Sequence, residues 1–236
     1  MHSYTVPTSI RERVIRLQGK LHAADTINAA RTALVVIDMQ NHYVAEGFPN
    51  EAPVAREIVP NINRMAAALR AAGGSVVWIQ TTSVGALEKW ASHHKYKLTT
   101  EAAARRLKSL SEDSEGFKLF AKLEPQPDDL YVRKIMYSAM IPGSSALPEV
   151  LADVGIDMIL IAGTKTNVCC ETTGRDASML GFRVVLLSDG TATVTDEEHA
   201  GALNNFQVSF GDVMTVDEAI GRLRPAGRAE RRAARS

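Results

Sequence analysis

Short apolar runs alternate with longer amphipathic segments along most of the chain. The runs are apolar at nearly every position, which is typical of parallel strands that are covered on both faces. Strands are therefore predicted over residues 33–37, 75–79, 130–132, 158–162 and 183–187, with 212–216 as a sixth.

Helical patterns fill the gaps between these runs. They predict helices over residues 59–72, 145–154 and 169–180, and a fourth that follows the capping-box pattern at 195–198 and runs to Gly211. Each of the first three is followed within a residue by glycine, the usual residue just past a helix C-terminus. Strands and helices that alternate in this way predict an α/β fold, a three-layer α/β/α domain around a six-stranded, mainly parallel sheet.

Two segments interrupt the alternation. Residues 1–28 are predicted to form an N-terminal arm with a short amphipathic helix over 9–17. Residues 83–127 form an insertion, rich in Lys, Glu, Ser and Ala, between the second and third strands. An insertion of this length is more often a lid or a subunit contact than an idle loop. The single domain is predicted to span 29–222, and the Arg-rich residues 223–236 to form a flexible, solvated tail.

Composition and charge narrow the class of partner. The chain has 236 residues, and its 27 basic residues balance 27 acidic ones, which argues against nucleic acid or an anionic membrane as the main partner. The apolar runs are much shorter than the roughly 20 residues of a membrane-spanning helix, and the N-terminus has no signal-peptide pattern. The two cysteines, Cys169 and Cys170, are adjacent and poorly placed for a mutual disulfide, so a cytoplasmic protein is expected.

Three polar residues stand just past predicted strands, where doubly wound sheets bind their ligands. Asp38 follows the first strand, Lys134 the third, and Cys169 lies in the turn after the fourth. Each alone has an ordinary structural explanation, as a turn former, a solvated cation or a core residue. Together they suit thiol chemistry, because Asp38 could accept the thiol proton and Lys134 with a helix N-terminus would lower the pKa of Cys169. Backbone N–H groups in the turn could stabilise an oxyanion.

The sequence around these residues resembles the isochorismatase-like cysteine hydrolases. The motifs are Ala-Leu-Val-Val-Ile-Asp-Met-Gln-Asn at 33–41, Lys-Ile-Met-Tyr-Ser-Ala-Met at 134–140 and Gly-Thr-Lys-Thr-Asn-Val-Cys-Cys-Glu-Thr-Thr-Gly-Arg-Asp-Ala at 163–177. They occur in the order found in that family, and the resemblance extends from about residue 30 to 222.

The resemblance implies a role for each of the three residues. Asp38 would be the proton acceptor, Lys134 the charge-bearing partner and Cys169 the nucleophile. It also implies a cis peptide bond between Thr164 and Lys165, with the backbone N–H groups of Lys165 and Cys169 forming an oxyanion hole. Members of the family usually assemble as dimers or tetramers, so a homo-oligomer is expected.

The resemblance also bears on metal use. Nicotinamidases of the family carry an Asp-x-His metal site after the second strand, where this chain continues Gln-Thr-Thr-Ser at 80–83. We therefore expect neither a metal nor another cofactor. His93 and His94 lie in a Lys-rich segment and are predicted to be solvated, and His42 and His199 are no better candidates for ligands.

The motifs are most similar to those of the ureidoacrylate and N-carbamoyl amidohydrolases. That branch implies hydrolysis of a C–N bond in a small amide or ureido substrate through a thioester, with release of ammonia or an amine. Gln40, Asn41, Tyr137 and Lys165 are the candidate substrate-binding residues. Two interpretations of Lys165 stay open, since its side chain either pairs with a substrate carboxylate or points into a neighbouring loop. Cys170, where valine is usual, is predicted to pack in the core.

Three other functions are compatible with parts of this pattern. A nicotinamidase-like or isochorismatase-like hydrolase is the first, although isochorismatases proper cleave a vinyl ether without needing the cysteine. A non-catalytic α/β binding protein is the second, and the intact trio of Asp38, Lys134 and Cys169 argues against it. A redox protein that uses Cys169 and Cys170 is the third, and it would need a strained disulfide.

Overall fold

The computed structural model describes residues 1–225 and confirms the predicted alternation of strands and helices. The strands are β1 (Ile27–Asn28), β2 (Thr32–Ile37), β3 (Ser75–Thr81), β4 (Leu130–Lys134), β5 (Met158–Thr164), β6 (Arg183–Ala192), β7 (Asp212–Met214) and β8 (Leu223–Arg224). The α-helices are α1 (Thr8–Gln18), α2 (Asn41–Val44), α3 (Val59–Ala72), α4 (Ala86–Lys89), α5 (Thr100–Ser109), α6 (Leu147–Asp153), α7 (Glu171–Met179), α8 (Asp196–Ser209) and α9 (Val216–Arg222). Short 3₁₀ turns lie at Ala29–Arg31 and Pro53–Arg56, and π-helical turns at His93–Lys97 and Thr166–Cys170.

Six strands form the central sheet in the order β4-β3-β2-β5-β6-β7, and all of their pairings are parallel. The chain builds outward from β2 in one direction through β3 and β4, and in the other through β5, β6 and β7. The order therefore reverses between β2 and β5, and crevices at the carboxyl ends of strands form at such a point. The predicted six-stranded α/β architecture is confirmed.

The core has two layers because successive residues of β2 face opposite sides of the sheet. Leu34 and Val36 join the layer that α3 and α9 cover, and Ala33, Val35 and Ile37 join the layer that α6, α7 and α8 cover. All six residues of β2 are buried. Burial on both faces explains why this run shows no alternation of apolar and polar positions.

The C-terminal end of the domain differs from its prediction. The sixth strand ends at Met214, and α9 follows, opened by a capping box between Thr215 and Glu218 that the sequence analysis passed over. The predicted flexible tail also begins too early. Leu223 and Arg224 pair in parallel with β1, so these two residues belong to the folded domain. The rest of the tail from residue 226 lies outside the described residues.

The N-terminal arm packs against the body of the domain. Helix α1 contacts α8, and the ring of His2 stacks on that of His199 with 4.5 Å between ring centroids. The insertion holds α4, the π-helical turn His93–Lys97 and α5. None of the helices within residues 1–225 is long and apolar enough to cross a membrane.

Candidate active site

Asp38 begins the site, directly after the last residue of β2. Its φ of 54° is in the left-handed region, which aspartate tolerates better than most residues with a side chain. The carboxylate is fully buried. Its Oδ1 accepts a hydrogen bond from the Thr81 hydroxyl at 2.7 Å, and its Oδ2 lies 2.8 Å from Nζ of Lys134. The carboxylate is thus held from two neighbouring strand ends.

Lys134 is the last residue of β4 and is 1% exposed. Besides Asp38, its Nζ contacts the Thr81 hydroxyl oxygen at 2.8 Å, the Met136 carbonyl oxygen at 3.1 Å and Sγ of Cys169 at 3.6 Å. Burial alone would lower the pKa of Lys134, but the negative charge of Asp38 and the Cys169 side chain raise it above its usual value. The ammonium therefore stays charged and links the carboxylate to the thiol.

Cys169 lies in the π-helical turn between β5 and α7 and is 6% exposed. Burial first, and then the charge of Asp38 and its hydrogen bond to the thiol, raise the pKa of Cys169 to about 12, although Lys134 and Arg106 act to lower it. Lys134 thus acts on the pKa of the thiol in the predicted direction, but burial and Asp38 outweigh it, and the net pKa lies above its usual value. The thiol therefore carries its proton at neutral pH, next to a carboxylate that could accept it.

The turn that carries Cys169 begins with a close approach of two strands. At Gly163, with φ of 113°, an added Cβ would lie 2.0 Å from the Ile37 carbonyl oxygen, so only glycine fits. The next peptide bond but one, Thr164–Lys165, is cis. The Lys165 carbonyl then accepts hydrogen bonds from the N–H groups of Val168 and Cys170 at 3.1 and 3.2 Å. These contacts fix the turn beside the end of β2.

Thr81 is a site residue that the sequence analysis missed. It ends β3, is 1% exposed, and its hydroxyl accepts from Lys134 while donating to Asp38. The available signal was its position just past the predicted strand 75–79. That strand is β3 of the structure and pairs with both β2 and β4. The hydroxyl thus orients the ion pair between Asp38 and Lys134. Among the described residues it forms no hydrogen bond with the Cys169 thiol.

Two of the four predicted substrate-binding residues have another use. The side chain of Gln40 is fully buried, donating to the carbonyls of Thr81 and Phe117 at 3.0 and 2.9 Å and accepting from the Thr81 N–H at 2.7 Å. Asn41 donates to the Glu115 carbonyl at 2.8 Å. Both side chains tie the insertion to the strand ends, and neither lines the cavity described next.

A cavity of about 300 Å³ opens over Cys169. Tyr137 and Lys165, the other two predicted substrate-binding residues, lie in its wall. The insertion supplies much of the remainder. The residues of the insertion that line the cavity are His93, Lys97, Leu98, Ala102, Arg105 and Arg106. The lining includes cationic side chains and no carboxylate among the described residues.

The histidines near the cavity are buried, contrary to the expectation for His93 and His94. His93 is 8% exposed and stacks on Trp90 with 4.0 Å between ring centroids, and His94 is 7% exposed. Burial lowers the pKa of His93 to about 4, and that of His42 to about 3. A Lys-rich stretch hid this burial because the lysines turn outward while the two rings pack inward. Within residues 1–225 there is no group of three or more His, Cys, Asp or Glu that could hold a metal ion.

Lys165 and Cys170 have clear positions. The Lys165 ammonium donates to Oδ1 of Asn50 at 3.0 Å, so its side chain reaches the neighbouring loop while still bordering the cavity. This is the second of the two interpretations that the sequence left open. Cys170 is fully buried among core residues.

The fold and this arrangement define a three-layer α/β protein with a candidate thiol active site, formed by a buried Asp, Lys and Cys at the strand ends. The isochorismatase domain family matches residues 32–218. The chain belongs to the isochorismatase family.

Individual relatives agree with this assignment. The chain is 33% identical over 220 residues to the ureidoacrylate amidohydrolase RutB of Variovorax paradoxus (strain S110), covering 87% of this chain and 84% of that protein. It is 32% identical over 212 residues to RutB of Pseudomonas savastanoi pv. phaseolicola (strain 1448A / Race 6), covering 83% and 85%. A solved cysteine hydrolase from Pseudomonas syringae pv. phaseolicola 1448A is similar in structure, with a TM-score of 0.73, 27% identity and coverage of 88% and 95%.

Proposed function

We propose that the chain is an amidohydrolase that cleaves the C–N bond of a small amide or ureido substrate with Cys169 as nucleophile. One observation carries the proposal: Nζ of Lys134 lies 2.8 Å from Asp38 and 3.6 Å from Sγ of Cys169, and Cys169 lines a cavity that fits a small molecule. The names of the ureidoacrylate amidohydrolase relatives support the ureido class.

The first half of the reaction forms a covalent intermediate. Asp38 takes the proton of the Cys169 thiol as Sγ attacks the substrate carbonyl carbon. The tetrahedral oxyanion is stabilised by the backbone N–H groups of Lys165 and Cys169. The C–N bond then breaks, and Asp38 returns the proton to the leaving ammonia or amine. Lys134 stays charged throughout and balances the charge of the carboxylate.

The second half releases the product. Water attacks the carbonyl carbon of the covalent intermediate, which is a thioester from an amide and a thiocarbamate from a ureide, and gives up a proton to Asp38. The Cys169 sulfur then leaves and regains that proton. A ureido substrate yields a carbamate in this step, and a simple amide yields a carboxylic acid. Residues 1–225 show no metal-ligand cluster, and the proposed steps need no metal ion.

An ammonia-release screen tests the proposal. The substrates are ureidoacrylate, N-carbamoyl amino acids, biuret, nicotinamide and simple amides. We expect turnover of at least one ureido or amide substrate, abolished in Cys169→Ala and largely kept in Cys170→Ala. Cys170 is the matched control because it is adjacent, equally a thiol, and absent from the cavity lining. Equal loss in both variants, or no turnover of any member of the set, would contradict the proposal.

A further inference from the structure

Arg106 brings a cation into the cavity with little to neutralise it. It projects from α5 of the insertion, and its Nη1 donates to the Tyr43 hydroxyl at 3.2 Å. A guanidinium has five N–H donors, so most of its hydrogen-bonding capacity is unused. No Asp or Glu among residues 1–225 forms an ion pair or a hydrogen bond with it, and the charge of Asp38 is already matched by Lys134.

The surroundings of Arg106 add positive charge rather than remove it. The cavity wall also contains Lys97, Arg105 and Lys165 and includes no described carboxylate. The neighbouring His42 is neutral, because burial first, and then the charges of Arg106 and Lys165, lower its pKa to about 3. An anion that enters this cavity therefore meets a positive wall with no internal counter-ion.

Geometry distinguishes Arg106 from the other cations of the wall. Lys165 already donates to Asn50, and Lys97 and Arg105 are largely exposed to solvent. Arg106 is half-buried, and its planar fork can hold both oxygens of a carboxylate. Its charge also acts on Cys169, lowering the pKa of the thiol against the effect of burial. An anion on Arg106 would thus lie in the same cavity as the nucleophile.

We propose that Arg106 is the carboxylate anchor of this cavity and that the substrate is an anionic amide or ureide whose carboxylate is separate from the scissile C–N bond. The inference rests on the proposed function for the reaction, and it assigns substrate selection to the insertion rather than to Lys165 of the catalytic turn. The Tyr43 hydroxyl holds the guanidinium in position.

A matched pair of substrates tests the anchor. N-carbamoyl-β-alanine carries the carboxylate, and its methyl ester lacks the charge, with ammonia release measured for both. In Arg106→Gln we expect kcat/KM for the acid to fall about 10- to 150-fold, the range for loss of a hydrogen bond to a charged group, mainly through KM. The effect of Arg106 on the pKa of the Cys169 thiol is shared by both substrates and cancels in their ratio, and beyond it the ester should change less than about threefold. Arg106→Lys should recover part of the loss for the acid.

The control variant is Lys108→Gln, on the same helix. Ala102 and Arg106 are four residues apart and face the cavity together, whereas Lys108 points away from it and is exposed. It should leave both substrates unchanged. An equal loss for acid and ester in Arg106→Gln would show general damage, and an unchanged acid-to-ester ratio would likewise overturn the anchor.

Binding keeps the test independent of turnover. The acid should bind the inactive Cys169→Ala variant in a calorimeter, and the added Arg106→Gln change should weaken Kd by a similar factor. No binding of the acid, or binding unaffected by Arg106→Gln, overturns the inference. If the acid binds through Arg106 but wild type releases ammonia from no member of the screening set, the proposed hydrolysis fails while the anchor stands. If wild type hydrolyses the ester with the same kcat/KM as the acid, the anchor fails and the hydrolysis stands.

Discussion

Replacing Thr81 with valine should damage the site without changing its shape. Valine has nearly the same volume as threonine but lacks the hydroxyl that donates to Asp38 at 2.7 Å and accepts from Lys134 at 2.8 Å. Lys134 keeps its contacts with Asp38, the Met136 carbonyl and Cys169. Oδ1 of Asp38 stays buried but loses the hydrogen bond that the Thr81 hydroxyl donates. The free-energy cost therefore falls mainly on the carboxylate.

The size of the effect follows from that one lost bond. A hydrogen bond to a charged group contributes about 1.5 to 3 kcal/mol, and a buried acceptor left without a donor incurs a cost of similar size. We expect the free energy of unfolding to fall by about 1.5 to 3 kcal/mol. If the same energy is lost from the orientation of the catalytic base, kcat should fall about 10- to 150-fold, with KM little changed.

Two measurements check this prediction. Urea unfolding gives the stability of Thr81→Val, and ammonia release gives its kcat and KM. Thr81→Ser is the matched control, because it keeps the hydroxyl and loses only a methyl group, at about 1 kcal/mol. A Thr81→Val protein within threefold of wild type in kcat and within about 0.5 kcal/mol in stability would refute the reasoning.

Other predictions concern charge and protons in the same region. Asp38→Asn should speed the alkylation of Cys169 at pH 8 while abolishing turnover, because the carboxylate raises the pKa of the thiol; slower alkylation measured by mass spectrometry would contradict this. Burial lowers the pKa of His42 to about 3 and of His199 to about 4, so the unfolded chain binds more protons than the folded one as pH falls from about 6.5 towards 4. Urea unfolding should therefore show a stability loss of about 1 to 2 kcal/mol per histidine between pH 7.5 and 5, and a constant stability would be inconsistent with two neutral buried rings. Prolonged chelation should leave turnover unchanged, and activity that is lost and then restored by zinc would point to a metal-dependent reaction.

Residue spacing and helix-end residues predicted the helices that are long enough to show a periodic pattern. Helix α3 was predicted at its observed bounds because its apolar positions keep a helical spacing and Gly73 takes the left-handed conformation at its end. Helix α9 was missed because its seven residues are too few for a periodic pattern, although Thr215 and Glu218 carried a readable capping signal.

Candidate site residues were predictable only where the residue type by itself indicates a chemical role. Asp38, Lys134 and Cys169 have side chains whose position after a strand is informative by itself. Gln40 carries donors and acceptors that suit a ligand or a backbone equally well, and only the register of the insertion decides that it binds Thr81 and Phe117. Arg106 sits in a sequence of ordinary surface residues, and its burial follows from how α5 docks.

The strand order has a consequence for how the protein acquires activity. Asp38, Lys134 and Cys169 lie on or just after β2, β4 and β5, and β3 stands between β2 and β4. These three residues cannot come together through two neighbouring segments of the chain. The strands β4, β3, β2 and β5 must first pair through long crossover connections. Circular dichroism should therefore recover before enzymatic turnover in a refolding experiment. Turnover then serves as a stringent reporter of complete assembly, and a chain truncated before β5 would lack Cys169 and with it the proposed nucleophile.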